Sequence, residues 1–217
     1  MGDSKPVQVV LATRNPHKVA ELRRILAVAG FAGELVGLDA FPQAPDVPET
    51  GSTFADNALL KARAIAAFTG LPAVADDSGL TVDALHGMPG VLSARWSGKH
   101  GEDVANLELV LGQLADVEQR GAAFVCAAAL VDGALVAGTL VAGARATGTT
   151  SREWTVTGVL SGSLTRAPRG GNGFGYDPIF VPAGLTTTTA ELSAEEKDAI
   201  SHRGRAFRAL APLIAHL

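Results

Sequence analysis

Residues 7–18 constrain the fold more than any other stretch. Val7-Gln8-Val9-Val10-Leu11-Ala12 is almost wholly apolar and rich in β-branched residues, the pattern of a strand covered on both faces. Thr13-Arg14-Asn15-Pro16-His17-Lys18 follows at once. Asn15 suits an N-cap, because its side-chain oxygen accepts amide hydrogens that a first helical turn leaves unpaired. Pro16 suits the first helical position, whose own N–H has no partner there. Val19, Leu22, Ile25, Leu26 and Ala29 then recur at helical spacing, with Glu21, Arg23 and Arg24 between them and Gly30 placed to stop the helix. A buried strand running straight into an amphipathic helix is the opening of an α/β fold.

The alternation continues. Residues 42–48 are proline-rich and lead into Glu49-Thr50-Gly51. Thr53 with Asp56 three residues on predicts a capping box, an Ala- and Leu-rich helix runs to Phe68, and Gly70 and Pro72 close it. Residues 71–75 read as a short buried strand that ends in Asp76-Asp77-Ser78-Gly79, with a turn expected at Ser78-Gly79. Residues 102–118 read as an amphipathic helix carrying Val104, Leu107, Val110, Leu111 and Leu114 on one side. Residues 122–131 and 134–142 flank Asp132-Gly133, a pair suited to a type I′ turn, so a β-hairpin is expected there. Residues 154–160 predict another strand, and 166–177 a Gly-rich loop leading into Pro178-Ile179-Phe180-Val181. Ser193 and Glu196 form another capping box, and Phe207, Leu210, Leu213 and Ile214 mark a last helix with Pro212 as its kink candidate. The expected architecture is α/β, with a mixed central sheet, flanking helices and a β-hairpin region, in one unit over residues 1–217.

Composition narrows the function. A chain of 217 residues is long enough for a core that needs no disulfide or structural metal. Its lone cysteine, Cys126, excludes a disulfide framework and a Cys-based zinc site, and points to a reducing compartment. With 18 Lys+Arg against 22 Asp+Glu, the formal charge is −4. Phosphate-backbone binders usually carry a basic face, so no nucleic-acid partner is expected. Residues 1–6 are polar and precede only a short apolar run, which lacks the length of a signal peptide or a membrane span. The expectation is a cytoplasmic protein without a membrane partner.

Five polar segments carry the candidate chemistry. The turn from Thr13 to Lys18 combines a helix N-terminus, a hydroxyl and the cations Arg14 and Lys18, which suits an anion, although it lacks the glycines of a Walker loop or dinucleotide fingerprint. A capped helix with solvated basic residues explains the same turn. Asp76 and Asp77 end an apolar strand, where two carboxylates repel each other and are costly to desolvate without a cation. Mg²⁺ is the natural compensation, because it takes hard oxygen ligands and bridges carboxylates to phosphates; plain turn capping is the alternative. Glu49 is a third acid of undetermined place, and Lys61 on its Ala-rich helix reads as a solvated residue. Gly170-Gly171-Asn172-Gly173-Phe174-Gly175-Tyr176-Asp177 puts two aromatics and an acid among glycines, suited to stacking on a planar ring; a Gly-rich hairpin connection with one aromatic tucked into the core is the competing view. Lys197 and Ser201-His202-Arg203 add cations at another helix boundary, able to read a carbonyl or a phosphate. Together these are the parts of a Mg²⁺-nucleotide site.

Leu11 to Lys18, Glu49-Thr50-Gly51-Ser52-Thr53-Phe54 with Asn57-Ala58 and Lys61-Ala62, Ala75-Asp76-Asp77-Ser78-Gly79-Leu80, Gly173 to Pro178, and Ile200-Ser201-His202-Arg203-Gly204 together resemble the inosine/xanthosine triphosphate pyrophosphatase family. They occur in the family's order over almost the whole chain. The resemblance implies a homodimeric, Mg²⁺-requiring α/β enzyme, with its active-site cleft between two lobes, that hydrolyses ITP, dITP and XTP to the monophosphate and pyrophosphate. By position, Thr13, Arg14, Asn15, Pro16, His17 and Lys18 would hold the triphosphate. Asp77 would bind metal and accept a proton, and Ser78 would contact substrate. Phe174, Gly175, Tyr176, Asp177, Lys197, His202 and Arg203 would recognise the nucleotide, chiefly its base. Glu49 and Lys61 match family active-site positions, with Glu49 and Asp76 further candidate metal ligands and Lys18 and Lys61 candidate catalytic cations. Some relatives have a second acid before that glutamate, where this chain has Pro48. The competing expectations are a related Maf-type pyrophosphatase acting on other triphosphates and a non-catalytic sensor of purine triphosphates.

Overall fold

β1 (Gln8–Leu11) places Val9, Val10 and Leu11 entirely out of solvent, and α1 (Pro16–Val28) follows with Asn15 as its cap and Pro16 at its start. This is a computed structural model, and it describes residues 7–133 and 152–217. Gly30 lies just beyond α1 with φ +79°, the left-handed conformation that ends a helix. β2 (Glu34–Gly37) comes next and pairs in parallel with β1. Its four residues are too few, and too mixed in polarity, for periodicity to reveal it. α2 (Phe54–Thr69) opens with the expected Thr53–Asp56 capping box and closes on Gly70 at φ +69°.

β3 (Ala73–Val82) corrects the sequence reading. The strand does not stop at the aspartates but passes through Asp76-Asp77-Ser78-Gly79 without a turn. Two things carry it on. Leu80 and Val82 are fully buried, and the Leu80 N–H donates to Ser93 Oγ at 2.9 Å. Gly79 lets the strand lie close to that support, since a Cβ there would meet Ser93 Oγ and the Gly90 carbonyl oxygen, the latter at 2.6 Å. Gly79→Ala should therefore destabilise the protein by about 1–3 kcal/mol, because backbone as well as side chain must shift. At roughly 2–4 °C per kcal/mol for a chain of this size, the loss will register in a thermal melt followed by circular dichroism.

α3 (Asp103–Gln113) is shorter than the expected 102–118. Beyond it the Ala115 and Val117 amides donate to the residues three back, Gly112 and Leu114, and Arg120 Nη1 takes the Leu114 carbonyl at 3.0 Å, so the chain tightens and leaves the helix. β4 (Gly121–Val131), β5 (Glu153–Leu164) and β6 (Phe180–Pro182) follow, β5 longer than expected and antiparallel to β6. The second arm of the expected hairpin, 134–142, lies outside the described residues. α4 (Ala194–Ile200) starts on the Ser193–Glu196 capping box, and α5 (His202–Ile214) contains Pro212. Strand order in the six-stranded mixed sheet is β2-β1-β3-β4-β5-β6, with β1 parallel to both β2 and β3.

The chain divides into two compact units, residues 1–77, 127–156 and 206–217 in the first and residues 78–126 and 157–205 in the second. The first has an alanine-rich core in which Ala58, Ala62, Ile65 and Ala66 of α2 pack with Val10, Ala73 and Ala75 of the sheet. Small side chains bring helix and strands close together there. The second is built on larger residues, among them Leu80, Val110, Leu114, Phe124 and Phe180. Among the described residues no helix is long and apolar enough to cross a membrane.

Candidate active site

Alternation along β3 sends Asp76 and Asp77 to opposite faces of the strand, and each meets a different helix of the first unit. Asp76 is 2% exposed and its Oδ2 lies 3.0 Å from Lys18 Nζ, on the first turn of α1. Asp77 faces α2, where Asn57 and Lys61 stand one turn apart on the same stripe. Asn57 Nδ2 donates to Asp77 Oδ2 at 2.9 Å, while Lys61 Nζ lies 3.8 Å from Asp77 Oδ1 and 2.7 Å from Glu49 Oε1. The ammonium thus sits between two carboxylates. Lys61, a solvated residue by sequence, is in fact largely enclosed, with its side chain 15% exposed.

Burial sets the electrostatics of this cluster. Desolvation pushes the Asp77 carboxyl up from its ordinary value and Glu49 adds to the rise; the Lys61 ammonium, the Asn57 hydrogen bond and the Lys18 charge offset only part of it. Asp77 is thereby a stronger base than a solvated carboxylate. For Lys61, burial alone would lower the ammonium's pKa, but the charges of Asp77, Asp76 and Glu49 outweigh it and raise the value. Lys61 therefore stays cationic throughout the neutral range.

Among the described residues no group of three or more His, Cys, Asp or Glu forms a ready metal shell. The donor set nevertheless fits Mg²⁺. Glu49 and Asp77 offer hard oxygens that already converge on one cation, the Lys61 ammonium, and Mg²⁺ is commonly held by one or two carboxylates together with substrate phosphates and water.

The turn before α1 differs from its sequence reading in one respect. Asn15 Oδ1 accepts from the His17 and Lys18 amides at 2.9 and 3.3 Å, and Thr13 Oγ1 accepts from the Asn15 amide. The cap that starts the helix takes up the His17 and Lys18 amides, so the anion site read from the helix N-terminus has fewer backbone donors to offer. What the turn presents is side-chain charge. Lys18 pairs with Asp76, and Arg14 donates to Asp46 at 3.1 Å and to the Ala44 carbonyl at 2.6 Å, on the proline-rich segment. His17 is exposed.

In the second unit, the cations and the aromatic ring come together. Lys197 Nζ and Arg203 Cζ lie 5.3 and 5.8 Å from the centroid of the Phe174 ring, within range of cation–π attraction. Arg203 is 2% exposed and its Nη2 donates to Ser78 Oγ at 2.7 Å. The neighbouring His202 stacks on Phe124, with centroids 4.9 Å apart and planes at 19°. Ser201 caps α5 by accepting from the Gly204 amide at 2.8 Å. Phe174 also borders a cavity of about 170 Å³ together with Asp103, Leu107 and Pro178.

Not every residue of the aromatic loop faces outward. Tyr176 is buried, its hydroxyl donates to the Ser93 carbonyl at 2.8 Å, and burial and Asp103 push its pKa up so that it stays protonated. Asp177 is 2% exposed. Its Oδ2 accepts from the Phe174 amide at 2.9 Å and Lys197 Nζ at 2.5 Å, and its Oδ1 accepts from Thr189 Oγ1 at 2.8 Å. Gly175 donates its amide to Asp103 Oδ2 at 2.9 Å. Gly173 has φ +78°, and a Cβ there would come within 3.1 Å of Lys197 Nζ, so this position of the loop requires glycine.

Asn57, Asp103, Ser93 and Thr189 had no assigned role from sequence. Only Asn57 carried a signal, through the Asn57-Ala58 pair of the family-like motif.

The chain matches the model of the Ham1 family over residues 9–213. It is 59% identical over 214 residues to a dITP/XTP pyrophosphatase of Streptomyces coelicolor, covering 97% of this chain and 98% of that protein. A crystal structure of a nucleoside-triphosphatase, dITP/XTP pyrophosphatase, from Mycobacterium abscessus superimposes with a TM-score of 0.72 at 54% identity, covering 95% of this chain and all of that one. A HAM1 protein structure from Coxiella burnetii gives a TM-score of 0.80 at 40% identity, with 97% and 100% covered.

Proposed function

Because the chain belongs to the Ham1 family, we propose that it is a nucleoside triphosphate pyrophosphatase that hydrolyses dITP, XTP and ITP to the monophosphate and pyrophosphate, as a cytoplasmic homodimer. The names of its relatives supply dITP and XTP, and ITP shares the hypoxanthine base. One observation carries the reading. A desolvated carboxylate with raised proton affinity, Asp77, stands between an ammonium and an amide donor, and Ser78, the next residue in the chain, is held by the arginine that lies against Phe174. A sensor would have use for the cations and the ring, but not for a carboxylate tuned as a base.

In the proposed reaction, water attacks the α-phosphorus, an oxygen–phosphorus bond forms, the bond to the α–β bridging oxygen breaks, and pyrophosphate departs. Asp77 orients the water and takes its proton. Lys18 and Lys61 offset the charge that grows on the bridging oxygen and the leaving pyrophosphate. Glu49 and Asp77 would hold Mg²⁺, with Asp76 a further candidate ligand that pairs with Lys18 on the other face of the strand; the ion would supply neutralisation of the triphosphate charge.

Base selection follows from donors. Hypoxanthine and xanthine offer a 6-oxo acceptor where adenine has an amino donor, so Arg203 and His202 directed at that edge are left unpaired by ATP. Guanine shares the 6-oxo group, so its 2-amino group has to be the basis of GTP rejection. The test is pyrophosphate release from dITP, XTP, ITP, GTP and ATP, with Mg²⁺ and with excess chelator. The expected result is Mg²⁺-dependent release from the first three at a kcat/KM at least about 10²-fold above ATP, the scale that a lost polar contact in a dry site produces. Equal turnover of ATP, or binding of dITP without release, overturns the reading.

A further inference from the structure

We infer that Asn57 is a positioning residue that locks the Asp77 carboxylate for proton transfer and ties it to the loop carrying Glu49; this rests on the reading of Asp77 as the base. Asn57 is 0% exposed and stands one turn before Lys61 on α2, a helix whose other buried residues, Ala58, Ala62, Ile65 and Ala66, are all apolar. A buried amide is tolerated only when its polar atoms are satisfied, and here the two ends go to different parts of the chain. Nδ2 donates to Asp77 Oδ2 at 2.9 Å, and Oδ1 accepts from the Gly51 amide at 2.7 Å.

The bond to Oδ2 stops the carboxylate from rotating and holds Oδ1 on the side of Lys61. The bond to Gly51 fixes the backbone two residues after Glu49, whose own carboxylate also meets Lys61. Gly51 is needed for this approach, because a Cβ at that position would lie 2.7 Å from Asn57 Oδ1. One amide thereby sets the spacing of both carboxylates around a single ammonium. Misplacing a reacting group by as little as 1 Å can cost about 10²-fold in rate.

The experiment compares Asn57→Asp and Asn57→Leu with wild type in steady-state pyrophosphate release from dITP, beside Asp77→Asn alone and combined with Asn57→Asp. Asn57→Asp keeps both size and the acceptor for Gly51 but replaces the donor to Asp77, so it stays informative if the leucine variant folds poorly. The expected result is a kcat about 10 to 10²-fold below wild type in the folded variants, KM within about threefold, and no further loss when Asn57→Asp is added to Asp77→Asn. Urea unfolding of the metal-free proteins should show non-additive effects of the same two substitutions. A folded Asn57 variant with wild-type kcat, or fully additive effects on unfolding, overturns the positioning role. Asp77→Asn with wild-type kcat would instead sink the assignment of the base, and so separates the two failures.

Discussion

Asp77→Asn should leave a folded protein that binds dITP and barely turns it over. The asparagine matches the aspartate in size and keeps a carbonyl oxygen for the Asn57 amide, so the change to the first unit's core is small. What disappears is the proton acceptor, together with one of the two carboxylates that would hold Mg²⁺, so kcat is read at saturating Mg²⁺. General bases contribute typically about 10²- to 10⁴-fold, and kcat for dITP should fall by that much while KM moves only a few-fold. The split matters, because a residue that merely repelled or attracted the triphosphate would change KM and kcat/KM together. Steady-state kinetics with dITP, checked by a thermal melt for folding, decide it. Turnover close to wild type would mean that Asp77 is not the base.

The site's ingredients were far more legible than its wiring. Local rules identified the caps of α1, α2 and α4, because Asn15, Thr53 and Ser193 act on amides two or three residues away. The same rules failed at Ser78-Gly79. There the expected turn is overridden by Ser93, thirteen residues from Leu80, and by the burial of Leu80 and Val82, tertiary effects with no local trace. β2 escaped notice because four residues carry no period. Strand alternation sends Asp76 and Asp77 to opposite faces, yet alternation alone does not say that α1 meets one and α2 the other. Lys61 is legible as a site residue only through the family resemblance, for a related reason. In an alanine-rich helix a single lysine usually faces water, and only the strand beside it and the Glu49 loop turn that position into the centre of the charge cluster.

The aromatic loop gives the second large effect. Asp177→Ala removes a carboxylate that accepts from Lys197, the Phe174 amide and Thr189 together. The Lys197–Asp177 pair is 12% and 3% exposed at its side chains, and breaking a buried pair by deleting one partner costs about 3–5 kcal/mol, since the remaining charge is stranded. For a chain of this size that corresponds to a melting temperature roughly 6–20 °C lower. KM for dITP should rise at least about tenfold, because Phe174 loses the bond that orders its backbone and Lys197 loses the partner that holds it over the ring. Substrate selectivity then separates two roles for this acid. If Asp177 reads the base itself, Asp177→Asn will change the ratio of dITP to ATP turnover. If it only fixes the ring and the lysine, KM for every purine triphosphate will rise in parallel and that ratio will hold. The carboxylate's near-complete burial and its three internal donors favour the parallel rise.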